Sequence, residues 1–328
     1  MKYKLHYMDK LRSIKLGSPL FFGKAIDEAI MALLLSKKKS LTVEEKLLSK
    51  ADPNDLFIKA FTITEHFGEP LNLQFTELTE YYKSDIDVDL LTDEDVAQIS
   101  DCAKVSKIEL NTIQEVEQFV EEAQGIIKNK TSLDKDEQIV YNNIAWHALK
   151  RKGLLLIQAF KEQIFPSIAE VFSIQEKVTL PDENDEFIGF IDFVASFTDS
   201  LGEKFVVDLK TSSKVYPEDS VRTSDQLSCY SEYKDIRQCA YIVLVKALKK
   251  REPRVKTQIV KDTIPEEQIQ KTFDKISGVF YSINDGIFEK CYEKGDESKC
   301  FAFGRKCPYY MYCRNGDLKD LKYAGERK

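Results

Sequence analysis

The sequence predicts an α/β fold, and three observations carry that reading. Three strand-like runs follow one another between residues 170 and 212: EVFSIQEKVTL, EFIGFIDFVASF and EKFVVDLKTS. A capped helical segment, SDQLSCYSEYKDI, and a β-branched apolar run, CAYIVLVK, come next. Helical patterns fill most of the first 152 residues and return from Pro265 to about Lys290. Alternation of apolar and polar residues marks a strand, and apolar recurrence at i, i+3 and i+4 marks a helix.

In chain order, Pro19 and Gly23 mark a loop, and the spacing predicts a helix over Lys24 to Ser36. Ala25, Ile26, Ala29, Ile30, Ala32 and Leu33 form its apolar face. Asp27 falls in its first turn, where an acidic residue suits the helix dipole. Residues 37–152 read as polar helices. DPNDLFIKAFTITEHF follows a capping signal and ends at a solvated His66, and Thr92 with Asp95 resembles a capping box. IQEVEQFVEEAQGIIKN and DEQIVYNNIAWHALKRKG follow, with Trp146 assigned to the core and His147 to the surface. LLLIQAFKEQI is a further helix stopped before Pro166. Glu176, on the first strand, is expected to face solvent. Thr198 to Gly202 is the turn between the next two strands, Ser224 and Asp225 cap the helix after them, and PRVKTQIV is a last strand. The organisation expected is a motif helix within 1–36, a helical insertion over 37–152, a core over 153–290 and a cysteine-rich tail over 291–328.

Composition narrows the function. No apolar run approaches a membrane span, and the first residues, MKYKLHYMDKLRSIK, have no signal-peptide core, so a cytoplasmic protein without a membrane partner is expected. The formal net charge of −7 argues against a sequence-independent nucleic-acid coat, which needs a basic surface. Basic residues do cluster locally in ALKKREPRVK, residues 247–256. Seven cysteines in such a compartment are not expected to form disulfides, and Cys229 and Cys239 read as small core residues.

The chemistry concentrates between Gly189 and Tyr230. Strand alternation puts Ile188, Phe190, Asp192 and Val194 on one face and Val206, Asp208 and Lys210 on one face of the next strand. Phe205, Val207 and Leu209 point the other way. Two carboxylates and an ammonium on adjacent apolar strands are costly to bury unless paired or bound to an ion. Mg²⁺, held by one or two carboxylates plus water and phosphate oxygens, is one solution. A buried Asp–Lys bridge on an edge strand is the other.

Gly189-x-x-Asp192, Asp208-x-Lys210, Thr211-Ser212 and Gln226-x-x-x-Tyr230, in this order, resemble the RecB-like branch of the PD-(D/E)XK nuclease superfamily. The resemblance covers roughly residues 153–246. It implies a restriction-endonuclease-like core, a central mixed sheet flanked by helices in the order α-β-β-β-α-β. It implies Mg²⁺ or Mn²⁺ on Asp192, Asp208 and the Leu209 carbonyl, with Lys210 positioning or activating water. Gln226 and Tyr230 would lie along the site. Gly23-x-x-x-Asp27 has the spacing of the family's Gly-x-x-x-His helix start, with aspartate where the family has a metal-binding histidine. The helical insertion would shape a channel or clamp for nucleic acid. The function implied is a deoxyribonuclease, an exonuclease more than an endonuclease, acting on single- or double-stranded DNA in recombination, repair or phage DNA processing, with a helicase or recombination partner. The rival reading is a nuclease fold that binds nucleic acid or recruits a partner without cutting.

The tail carries Cys291, Cys300, Cys307 and Cys313. Many RecB-like nucleases hold a [4Fe–4S] cluster with C-terminal cysteines, and Cys307-Pro-Tyr-Tyr-Met-Tyr-Cys313 is similar to the end of that motif. Four thiolates would hold such a cluster or Zn²⁺. The other reading is an aromatic-rich docking tail with reduced thiols.

Overall fold

A computed structural model describes residues 11–13, 18–66, 69–72, 86–129, 133–182, 185–246, 255–288, 298, 300–301, 307, 309–318 and 321–323. The chain divides into two units, one comprising Met1–Gly17, Glu65–Pro70 and Asp274–Lys328, the other Ser18–Thr64 and Leu71–Phe273. In the first, strand β1 (Leu11–Ser13) pairs antiparallel with β9 (Leu321–Tyr323). A short helix, α9 (Tyr310–Asn315), ends at Gly316, whose φ of 77° is the left-handed cap that glycine adopts without strain. Tyr309 and Leu321 are buried there, with Cys307 and Cys313 packed against them.

The larger unit begins with α1 (Ser18–Leu35). The loop expected at Pro19–Gly23 is instead its first turns. Proline is tolerated there because its missing N–H would find no partner within the helix, and the apolar face extends back to the buried Phe22. Asp27 is therefore the tenth residue of the helix, beyond the reach of its N-terminal dipole. Phe22 meets Phe57 and Phe61 edge-on, at centroid distances of 6.0 and 5.8 Å. These two rings lie on α3 (Pro53–Thr62), which follows α2 (Val43–Leu48). The helix expected to run to His66 stops at Thr62; Ile63–His66 is a strand, β2, and Glu69–Asn72 is β3. The β-branched Ile63 and Thr64 favour the change.

Among the described residues of the helical region, capping boxes stand at Thr42/Glu45, Thr92/Asp95, Thr112/Glu115 and Asp134/Glu137. The last three start α4 (Asp93–Val105), α5 (Ile113–Lys128) and α6 (Lys135–Ala159). Helix α6 runs unbroken through residues 152 and 153, where the sequence places the start of the core. Gly153 does not stop it. Its missing side chain admits the ring of Phe57, which would lie 2.0 Å from a Cβ. A π-turn at Phe160–Ile164 and a 3₁₀ turn around Pro166 end this helical stretch. No described helix is long and apolar enough to cross a membrane.

Strands β4 (Ile168–Asp182), β5 (Asp185–Phe197), β6 (Ser200–Ser212), β7 (Gln238–Val245) and β8 (Lys256–Thr263) form one five-stranded sheet in sequence order. The β6–β7 pair is parallel and the others antiparallel, so the sheet is mixed. Helix α7 (Asp225–Lys234) supplies the crossover that a parallel pair requires. The turn between β5 and β6 is shorter than expected, because Phe197 already pairs with Ser200. Residues 205–209 of β6 are all buried, Asp208 included. Helix α8 (Glu266–Asn284) ends before the expected Lys290. Gly286, with φ 68°, turns the chain back so that Ile287 N–H reaches the Ser282 carbonyl.

Candidate active site

The candidate site lies where β5 and β6 part. Their ladder runs through Ala195↔Phe205, Val194↔Val206 and Phe193↔Val207. The same register sets Asp192 opposite Asp208. From there β5 stays paired with β4 as far as Asp182↔Asp185, while β6 stays paired with β7 as far as Ser212↔Val245. The Leu209 N–H at this fork donates to Asp192 Oδ2 at 2.7 Å. The N–H and C=O of one strand residue point the same way, so the Leu209 carbonyl also faces the fork.

Asp208 is almost fully buried. Its Oδ1 accepts from Gln226 Nε2 at 2.8 Å. Its Oδ2 is ion-paired with Lys210 Nζ at 2.6 Å. Lys210 Nζ also donates to Gln226 Oε1 at 3.1 Å, and Gln226 Nε2 reaches the Tyr230 hydroxyl at 3.1 Å. One amide thus orients the carboxylate, the ammonium and the phenol. Ser224 fixes the start of α7 by accepting from Leu227 N–H at 3.0 Å, and its hydroxyl lies 2.7 Å from that of Tyr241. Gly189 is needed for close approach: a Cβ there would stand 2.8 Å from Tyr230 Cε1. Gly23 is under no such constraint, since its Cβ would meet Thr211 Oγ1 at an ordinary 3.8 Å.

Helix α1 brings the third carboxylate. Burial, then the charges of Asp192 and Asp208, push the Asp27 pKa up to about 8. Burial and the Asp192 charge push Asp208 up to about 7. Asp192 is also raised by burial, opposed by the Leu209 N–H and by Lys210. Burial works against the Lys210 ammonium, but Asp208 and Asp192 outweigh it and hold its pKa above the usual lysine value. Asp27, Asp192, Asp208, Lys210, Gln226 and Tyr230 therefore form one electrostatically linked group.

The Asp192 and Asp208 carboxylates and the Leu209 strand carbonyl form a hard-oxygen donor set, which suits Mg²⁺ or Mn²⁺. Among the described residues no three His, Cys, Asp or Glu side chains stand at the spacing of a closed metal cage. Mg²⁺ needs no such cage, because water and phosphate oxygens complete its shell.

Other expectations fare differently. Glu176, expected in solvent, is half-buried and pairs with Lys234 Nζ at 2.8 and 3.0 Å, since β4 passes under the end of α7. His147, expected on the surface, is buried with Nδ1 2.9 Å from Asp95 Oδ1. Cys229 and Cys239 are buried core residues, with thiols pushed by burial up to about 11 and about 12. In the tail, Cys307 N–H donates to the Cys300 carbonyl at 2.7 Å. Cys291 and residues 247–254 lie outside the described residues. Tyr241 joins the site unannounced, because its place beside Asp208 depends on the β6–β7 register. No family model matches this chain, and no curated protein or solved structure matches it.

Proposed function

We propose that this chain is a Mg²⁺- or Mn²⁺-dependent deoxyribonuclease, an exonuclease of recombination, repair or phage DNA processing. The observation that carries the reading is the convergence of Asp27, Asp192 and Asp208 with Lys210 at the β5–β6 fork. The similarity of these residues and of Gln226 and Tyr230 to the RecB-like PD-(D/E)XK pattern supports it. Asp208 pairs with Lys210 at 2.6 Å, and two further carboxylates, Asp192 and Asp27, interact electrostatically with the same site, more negative charge than one ammonium offsets.

Asp192, Asp208 and the Leu209 carbonyl would hold the metal, with Asp27 completing the set. A bound divalent ion supplies Lewis acidity toward the scissile phosphate. Lys210 is placed to orient the attacking water and to offset negative charge developing on phosphorus. Gln226 keeps that ammonium aimed by holding Asp208 and Lys210 through opposite ends of one amide. Water attacks phosphorus in line, the bond to the leaving oxygen breaks, and that oxygen takes up a proton.

The tail is proposed as a separate thiolate site, for a [4Fe–4S] cluster or Zn²⁺, on Cys291, Cys300, Cys307 and Cys313. Iron and zinc content of the purified chain decides between them, and absence of both discards the site.

The test of function uses end-labelled linear and covalently closed circular DNA, single- and double-stranded, with Mg²⁺, Mn²⁺ or EDTA, beside Lys210→Ala. Metal-dependent loss of linear DNA alone, reduced by a factor of a thousand or so in the variant, is expected. Cutting of circles would make the enzyme an endonuclease. No metal-dependent cutting by folded protein would overturn the reading and leave a non-cutting binding protein.

A further inference from the structure

Beyond the fork, β4 and β5 continue as a two-stranded arm, and the arm exposes apolar side chains beside the carboxylates. Phe190 is 57% exposed and Ile188 49%. Phe190 is two residues from Asp192, the spacing at which strand side chains share a face, or about 7 Å along the strand. The Tyr230 ring packs against the backbone at Gly189, where a Cβ would stand 2.8 Å from it, so the arm is anchored to the site beside Phe190. Lys177 stands directly across from Phe190 in the β4–β5 register and is exposed. Directly opposed residues of an antiparallel pair bring their side chains about 5 Å apart on one face.

An exposed ring with a cation at its side, one strand step from a phosphate-processing site, matches an unpaired nucleotide. The base stacks on the aromatic face and the phosphate meets the ammonium. A base inside a duplex offers no free face to such a ring. We propose that Phe190 and Lys177 form a stacking platform that selects an unpaired strand as substrate, with Phe190 the specificity-determining residue. The proposal rests on the nuclease reading for its chemistry, but its binding step is measured without cleavage.

The experiment is fluorescence anisotropy of a labelled single-stranded oligonucleotide and of its blunt duplex, with full-length wild type, Phe190→Ala, Phe190→Trp and Lys177→Ala, in Ca²⁺. Thermal melts of each variant check folding. Phe190→Ala is expected to lose single-strand affinity about tenfold and at least fivefold more than it loses duplex affinity; Phe190→Trp retains it. Lys177→Ala should weaken single-strand binding and reduce its salt dependence. Equal losses on both substrates, no loss on the single strand, failure of Trp to substitute, or no binding by wild type would overturn the proposal. Discriminating binding without cleavage in Mg²⁺ or Mn²⁺ would retain the platform and remove the nuclease reading. Cleavage without discrimination would do the reverse.

Discussion

Replacing Asp27 by asparagine tests whether the fork is an anionic pocket. The substitution keeps shape and removes one of three mutually repelling carboxylates. Asp27 titrates near 3.8 when unfolded and at about 8 in the folded chain. The folded state therefore holds a proton that the unfolded state has released over that window, and stability falls as pH rises through it. Four tenfold steps at about 1.4 kcal/mol each set a ceiling of about 6 kcal/mol at pH 8. Relaxation and water entry return part of such a cost, so the expected gain for Asp27→Asn is about 2–3 kcal/mol. At about 2 °C per kcal/mol for a large domain, Tm rises by roughly 5 °C. The assay is thermal melting in EDTA from pH 4 to pH 9. The gap between variant and wild type should be near zero at pH 4 and largest above pH 8. Added Mn²⁺ should then raise the wild-type Tm at pH 8 far more than that of the variant, because cation binding supplies the missing charge. A gap of the same size at every pH, or none at pH 8, would refute the argument.

The remaining predictions concern the helical layer. Burial alone would raise Asp95, but hydrogen bonds from His147, Arg151, Thr92 and Lys150 outweigh it and hold the carboxyl far below its usual range. Burial also depresses His147, which stays neutral. Both groups bind fewer protons folded than unfolded, so stability is lost as pH falls, first below about 6.5 through His147 and then below about 4 through Asp95; helical ellipticity against pH measures it. Asp95→Ala, which leaves Lys150 and Arg151 without their buried partner, should cost about 3–5 kcal/mol in urea unfolding. Gly153→Ala adds a methyl 2.0 Å from the Phe57 ring. It should destabilise by about 1–3 kcal/mol despite the better helix propensity of alanine, and Phe57→Leu in the same chain should recover part of the loss.

Local signals were sufficient for much of this protein. Apolar runs located β4 to β7, and Ser, Thr and Asp at helix starts located α3, α4 and α7, because period and capping are properties of neighbouring residues. Asp192, Asp208, Lys210, Gln226 and Tyr230 were legible as one set through their resemblance to the RecB-like pattern, which is local because they lie within a single β-β-α passage. Positions decided by distant contacts were not legible. Asp27 moved from a first turn to mid-helix because Phe22 packs on Phe57 and Phe61. The boundary expected at residue 153 falls inside α6, where Gly153 serves as the seat of an aromatic ring from another helix. His147 became buried because Asp95, 52 residues away, supplies a hydrogen-bond partner. The sequence alone placed Asp192, Asp208, Lys210, Gln226 and Tyr230 in one β-β-α passage; only the tertiary structure decided that β5 and β6 part at Asp192 and Asp208, because the partner a strand takes depends on burial across the whole sheet rather than on its own residues.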